Sequence, residues 1–192
     1  INLPIALFYA GRNEEAAERA LAARDSHPDA PQPAYLLGLI ARAGNEPDEA
    51  VAAFRRVLEI DAEDVGAMVN LALVYVQQRQ YVEAVALCEA ALAIEPFNAT
   101  AAYNLAVALT RSGAREAGER AMVRFQELRD VPWAVTYSQA YLEQGRYAEG
   151  VVSTGAEPEL VSLDPPAVAF ADATSSLVPR GAESPAGAAS AA

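Results

Sequence analysis

The stretch from Val65 to Asn98, VGAMVNLALVYVQQRQYVEAVALCEAALAIEPFN, decides the fold of this chain. It contains two segments in which apolar residues recur every three or four positions, joined by the polar turn QQRQ. This spacing is typical of two amphipathic helices that pack against each other. Comparable stretches begin at Pro31 and Ala99, so the pattern repeats every 34 residues. A fixed period of this length predicts a stack of helical hairpins.

The three copies share a size pattern at equivalent positions. The eighth residue of each copy is small and the twenty-fourth is bulkier; the pairs are Gly38 with Phe54, Ala72 with Cys88, and Ala106 with Met122. Small residues let two helices approach closely, and bulky residues fill the remaining space. The pattern resembles the tetratricopeptide repeat (TPR) family over roughly residues 3–150. This resemblance implies an all-α fold, a right-handed superhelical solenoid of antiparallel helix pairs.

We expect this solenoid to cover residues 1–154, with three full repeats at about 31–64, 65–98 and 99–130. Partial repeats are expected at both ends. Residues 1–30 have the pattern of the later part of a repeat, so we expect an N-terminus shortened by processing or truncation. Residues 131–149 begin a fourth copy, in which Tyr141, Gly145 and Tyr147 occupy signature positions.

Residues 155–192 are rich in Pro, Ser, Gly and Ala, which predicts an extended, irregular tail that is partly disordered or ordered only by a partner. Two interpretations of this tail remain open. The sequence LVPRG at 177–181 resembles a thrombin cleavage site, as in a cloning remnant. Alternatively, the spacing of Phe170, Asp172 and Thr174 resembles the linker before an FG-GAP or VCBS-type β-propeller. The second resemblance implies the N-terminal part of a larger TPR/β-propeller protein.

The composition excludes several classes of partner. The formal net charge is −12, which argues against binding to a phosphate backbone. No apolar run approaches the roughly 18 residues of a membrane span, so we expect no direct membrane insertion. These features predict a soluble protein, cytoplasmic or periplasmic, and leave the compartment unknown.

The residues that usually carry chemistry are scarce, so we expect neither an enzyme nor a bound cofactor or metal. His27 is the only histidine, which rules out a metal site built from paired histidines and a Ser-His-Asp triad. Cys88, the only cysteine, stands at a core position and is predicted to be inert packing. Asp61 and Asp64 superficially suggest a calcium loop, but Val65 falls where an oxygen ligand is required. We therefore predict a solvated acidic turn between repeats.

The TPR resemblance also implies where a partner binds, because the first helix of each hairpin lines a concave groove in that family. The predicted groove residues are Tyr35, Leu39, Val69, Asn70, Leu73, Gln77, Tyr103, Asn104, Val107 and Arg111. Asn70 and Asn104 stand at the same repeat position, where a side-chain amide can both donate to and accept from a peptide backbone. The alternative is that these asparagines bond only to a neighbouring repeat.

The groove sequence also indicates the kind of partner. Some TPR domains clamp a carboxylate terminus with basic residues, but the corresponding positions here are Gln32, Tyr35, Thr100 and Tyr103. We therefore expect no carboxylate-clamp chaperone peptide. A largely apolar groove predicts a protein partner: an extended or hydrophobic segment, the chain's own tail, or a larger complex. The alternative function is a structural subunit anchored through its tail and terminal repeats.

Overall fold

In the computed structural model, which describes residues 2–137 and 144–150, eight α-helices and one short 3₁₀ helix form. The α-helices are α1 (Asn2–Tyr9), α2 (Asn13–Ser26), α3 (Pro31–Ala43), α4 (Pro47–Ile60), α5 (Val65–Gln77), α6 (Tyr81–Ile94), α7 (Ala99–Ser112) and α8 (Arg115–Arg129). They pair in sequence as hairpins that stack in chain order. This confirms the predicted all-α TPR solenoid, and the predicted tail lies outside the described residues. Among the described helices, none is long and apolar enough to span a membrane.

The size pattern of the repeats produces close contact between paired helices. Phe54 is fully buried in α4, and its ring lies against Gly38 of α3. A Cβ atom added to Gly38 would lie 2.8 Å from two atoms of that ring, so no other residue fits there without movement. The Phe54 ring also meets the Tyr35 ring edge-on, with centroids 5.6 Å apart. One small and one large residue thus fix the separation of α3 and α4.

We refer to the first helix of each hairpin (α1, α3, α5 and α7) as an inner helix. Two inner helices, α5 and α7, begin at side-chain caps that also recur with the repeat. The Asp64 carboxylate accepts a hydrogen bond from the Ala67 amide at 2.6 Å, and the Asn98 side chain accepts one from the Ala101 amide at 2.8 Å. Such caps satisfy backbone amides that have no partner within the helix. Asp64 is only 2% exposed, so the prediction of a solvated acidic turn is wrong for this residue.

The predicted first helix of a fourth repeat is absent from residues 131–137. This stretch forms a turn and then runs beside the start of α7, where Val135 and Asn98 form an isolated parallel β-bridge. The Ala99 amide donates to the Val135 carbonyl at 2.8 Å, and the Val135 amide donates to the Phe97 carbonyl at 3.0 Å. A single further helix would have no second helix to cover its apolar face, whereas these bonds satisfy the backbone.

Residues 144–150 lie at the start of α5 and against α3, and Arg146–Ala148 form the 3₁₀ helix. We refer to the described residues after α8, 131–137 and 144–150, as the return segment. Its first part contacts the start of α7 and its second part contacts the start of α5, one repeat earlier in the chain. Ala148 is fully buried, and its carbonyl oxygen lies 3.5 Å from the Tyr9 hydroxyl. The return segment therefore covers the starts of the inner helices.

Cys88 is fully buried, as predicted, and burial with the nearby charge of Glu89 raises the pKa of its thiol to about 12. Because the thiolate is the reactive species, the native thiol should react with a soluble disulfide reagent more slowly than in urea by at least about a hundredfold. Absorbance of the released thiol would give both rates. Equal rates in the native and unfolded protein would contradict the buried placement.

Candidate peptide groove and the segment that covers it

The inner helices and the return segment together line a cavity of about 380 Å³ that is open to solvent on one side. Six of the ten predicted groove residues line it: Leu39, Val69, Asn70, Leu73, Gln77 and Asn104. The other lining residues are Phe8, Arg42, Ala43, Thr100, Tyr137 and Gln144. The structure therefore brings residues of α1, α3, α5 and α7 to one concave site. Tyr137 and Gln144 could not be assigned to it from the repeat pattern, because the return segment breaks that pattern.

The remaining four predicted groove residues lie elsewhere. Tyr35 is fully buried beneath the return segment. Tyr103 is 45% exposed and packs its ring against Phe125 of α8, with centroids 5.2 Å apart. Val107 packs against the central core, and Arg111 is exposed near the end of α7. Position in the repeat alone did not distinguish these side chains from those that reach the cavity.

Asn70 joins two repeats through a buried hydrogen-bond network. Its amide nitrogen donates to the Tyr35 hydroxyl at 3.0 Å and to the Gly66 carbonyl at 2.8 Å. Its amide oxygen accepts a hydrogen bond from the Arg42 guanidinium. Both ends of the Asn70 amide are therefore used within the protein, as in the interpretation that such an asparagine bonds a neighbouring repeat.

Asn104 lies at the equivalent position one repeat later, but its hydrogen bonding differs from that of Asn70. Its side chain is 5% exposed and lines the cavity. Within the part of the chain that the structure describes, its amide nitrogen has no hydrogen-bond partner. A buried donor without an acceptor is costly, by about 1–3 kcal/mol.

The cavity lining is mixed rather than largely apolar. Phe8, Leu39, Val69 and Leu73 supply apolar surface, while the amides and the Arg42 guanidinium supply hydrogen-bonding groups. Burial lowers the pKa of Arg42, although its ordinary value is so high that the guanidinium keeps its charge. Such a site can hold an apolar side chain and bond the adjacent backbone.

A cluster of ion pairs and hydrogen bonds lies beside the cavity, where the return segment meets the start of α5. The Arg146 side chain donates to the Asp64 carboxylate from Nε at 3.0 Å and to the Asp61 carboxylate from Nη2. The Tyr147 hydroxyl donates to the same Asp61 oxygen at 2.6 Å. The guanidinium also lies 4.7 Å from the centre of the Tyr147 ring, a cation–π distance. Arg146 and Tyr147, which are adjacent in the chain, thus together bind the carboxylates of Asp61 and Asp64.

The pKa values in this contact follow from burial and hydrogen bonding. The hydrogen bond from Tyr147 lowers the pKa of Asp61, while burial raises the pKa of Asp64. Burial and the bond to Asp61 raise the pKa of Tyr147 to about 12, and burial also raises the pKa of Tyr35 well above its usual value. Both tyrosines are therefore neutral donors at physiological pH.

Stacked hairpins around a concave cavity define a helical-repeat protein-interaction module. The family model for the tetratricopeptide repeat matches residues 5–65, 35–99 and 69–124, which together span more than half of the chain. The chain therefore belongs to the tetratricopeptide repeat family. No curated protein matches the chain. Within the described residues, no group of three His, Cys, Asp or Glu side chains could hold a metal ion.

Solved structures with the same fold include MamA from Desulfovibrio magneticus RS-1, residues 41 to the end, which is 26% identical with a TM-score of 0.64. That match covers 66% of this chain and 72% of the other. Another crystal structure of MamA is 19% identical with a TM-score of 0.65, covering 68% and 76%. YrrB, described as a TPR protein with an unusual peptide-binding site, is 19% identical with a TM-score of 0.60, covering 64% and 63%. At these lower identities the likeness shows the fold alone.

Proposed function

We propose that this chain is a non-enzymatic module that holds an extended segment of a partner protein in the cavity between α1, α3, α5 and α7. The observation that carries the proposal is the Asn104 side chain, which lines the cavity and whose buried amide nitrogen has no acceptor among the described residues. A partner's backbone carbonyl would supply that acceptor. Apolar side chains beside it, such as Leu39 and Leu73, would hold a partner side chain of moderate size.

The mixed lining refines the expected partner. Arg42 and Gln77 add polar groups to the cavity, so a segment with alternating apolar and polar residues fits better than a purely hydrophobic one. The unusual peptide-binding site named for YrrB belongs to a protein of the same fold and is consistent with this use of the concave face. Thr100 and Tyr103 stand at positions where a carboxylate clamp would have basic side chains. The expected ligand is therefore an internal segment of the partner and not its carboxylate terminus.

The proposal is tested by selecting peptides from a display library on the intact chain and measuring their affinity by calorimetry. Replacing Asn104 with alanine should weaken binding of the selected peptide about tenfold, which corresponds to the loss of one hydrogen bond of ~1.4 kcal/mol. Arg111→Ala, on the same helix but outside the cavity, is the matched control and should leave affinity within about twofold. Equal affinity for the wild type and Asn104→Ala would overturn the proposal.

A role as an anchored structural subunit, or as one part of a larger TPR/β-propeller protein, is the second candidate. It is favoured by apolar side chains near the start of α7 that remain exposed: Phe97 at 47%, Trp133 at 68% and Val135 at 38%. Exposed aromatic residues of this kind are typical of protein contacts. Assembly through this surface would not depend on Asn104, so the same alanine variant separates the two candidates.

A further inference from the structure

The return segment contacts the solenoid as a bound peptide would. Residues 144–147 read Gln-Gly-Arg-Tyr, and each of the last three meets a specific feature of the repeats. Arg146 and Tyr147 share the Asp61 carboxylate, and Arg146 also reaches Asp64. These contacts join residues more than 80 positions apart in the chain, so they form a docking contact between distant parts of the chain.

The acidic side chains around Arg146, which form the docking site, favour binding of a cationic side chain. A cavity of about 360 Å³ beside Arg146 is lined by Asp61, Glu63, Asp64 and Glu95, with no basic side chain other than Arg146 among its described lining residues. The carboxylates of Asp61 and Asp64 accept from two different nitrogens of one guanidinium. A planar group with several donors fits this arrangement better than an ammonium does. The site therefore matches arginine rather than lysine.

The backbone before Arg146 adds a second requirement. Gly145 has a positive φ of 103°, and a Cβ atom there would overlap the Tyr35 hydroxyl and lie 3.4 Å from the Gly66 Cα. The Tyr35 hydroxyl also donates to the carbonyl of Gln144, directly before this glycine. A glycine is thus needed where the ligand backbone passes over Tyr35, and the docked sequence is Gly-Arg followed by an aromatic residue.

The docked segment is held partly by contacts that solvent weakens. The Arg146 side chain is 58% exposed, so solvent screens its ion pair with Asp61, although its second partner, Asp64, is only 2% exposed. The docked segment also leaves the Asn104 amide nitrogen without an acceptor among the described residues. A ligand that kept the contacts at Asp61 and also reached Asn104 would bind better than the chain's own residues do.

We propose that residues 144–147 are an internal ligand that occupies the groove edge, and that the partner protein carries a Gly-Arg-aromatic sequence that displaces it. This rests on the proposed function and names its partner class. The partner's arginine takes the place of Arg146 between Asp61 and Asp64, and its aromatic residue takes the place of Tyr147. Because the internal ligand is always present in the chain, it lowers the apparent affinity for the partner by the fraction of molecules in which the edge is free.

The experiment uses the intact chain and a labelled peptide of residues 144–150, QGRYAEG, followed by fluorescence anisotropy. A double variant, Arg146→Ala with Tyr147→Ala, removes the two side chains by which the internal ligand binds Asp61, and it should bind the peptide at least about tenfold more tightly than the wild type. A peptide with alanine in place of the arginine should bind neither protein. Adding Asp61→Asn to the double variant should abolish the gain, whereas Asp64 is left intact because it caps α5.

Unchanged helical circular dichroism would show that the variants remain folded. Equal binding of the peptide to the wild type and the double variant, or tight binding that survives Asp61→Asn, would overturn the inference. If the peptide fails while library-selected ligands still depend on Asn104, only the internal-ligand inference falls. If the peptide binds as expected but Asn104→Ala has no effect on selected ligands, the proposed use of the central cavity falls instead.

Discussion

Replacing Phe54 with alanine is expected to lower the free energy of unfolding by about 3–5 kcal/mol. Phe54 is fully buried, and its ring fills the notch that Gly38 leaves on α3. Removing the ring creates a cavity that the two helices cannot close without moving together. The edge-on contact with Tyr35 would be lost as well.

Urea unfolding followed by circular dichroism would measure this change. Val82→Ala provides the matched control, because Val82 lies on α6 with 77% exposure and should change stability by less than about 0.5 kcal/mol. A loss of less than about 1 kcal/mol for Phe54→Ala would show that the helices repack around the missing ring. Since Tyr35 also contacts Tyr147, the variant should in addition loosen the return segment.

The solenoid was predictable from sequence because its determinants are local and repeated. The pairing of Gly38 with Phe54 is visible as a small and a large residue sixteen positions apart, and its equivalents recur in the next two copies. Buried Cys88 follows from the same register. Each repeat contacts mainly its neighbours, so a one-dimensional pattern suffices to describe them.

The return segment was not predictable, because its structure depends on contacts between distant residues. Gly145 and Tyr147 match the signature of a fourth repeat, yet Gly145 serves a close approach to Gly66 and Tyr147 binds Asp61. For the same reason Asp64 looked like part of a solvated turn, although it caps α5 and accepts from Arg146. Sequence spacing cannot show which distant side chain will cover a carboxylate.

The candidate groove could be predicted from the sequence only in part. Repeat position correctly placed residues on the inner helices, and six of the ten predicted residues line the cavity. It did not reveal that Asn70 donates a hydrogen bond to the hydroxyl of the buried Tyr35. Nor did it separate Asn70 from Asn104, which occupy equivalent positions but have different neighbours: Asn70 meets Arg42 of the preceding repeat, and the residue one repeat after Arg42 is Val76.

Because the neighbours of Asn70 and Asn104 differ, we expect the same substitution to change the free energy of unfolding by different amounts at the two positions. Asn70→Ala should lower the free energy of unfolding by about 2–3 kcal/mol, because it removes hydrogen bonds to Tyr35, to the Gly66 carbonyl and to a charged guanidinium. The Arg42 charge would be left partly buried without its acceptor. Asn104→Ala should cost less than about 1 kcal/mol, since the amide nitrogen that it removes has no partner among the described residues.

The two variants form a matched pair, since the same substitution is made at the same repeat position, 34 residues apart. Urea unfolding of both proteins, at one protein concentration and in one buffer, would give the two free energies directly. Equal losses would mean that Asn104 is as fully bonded as Asn70, and the cavity would then offer no free donor to a partner. A large loss for Asn70→Ala alone would assign one asparagine to joining the repeats and leave the other available for binding.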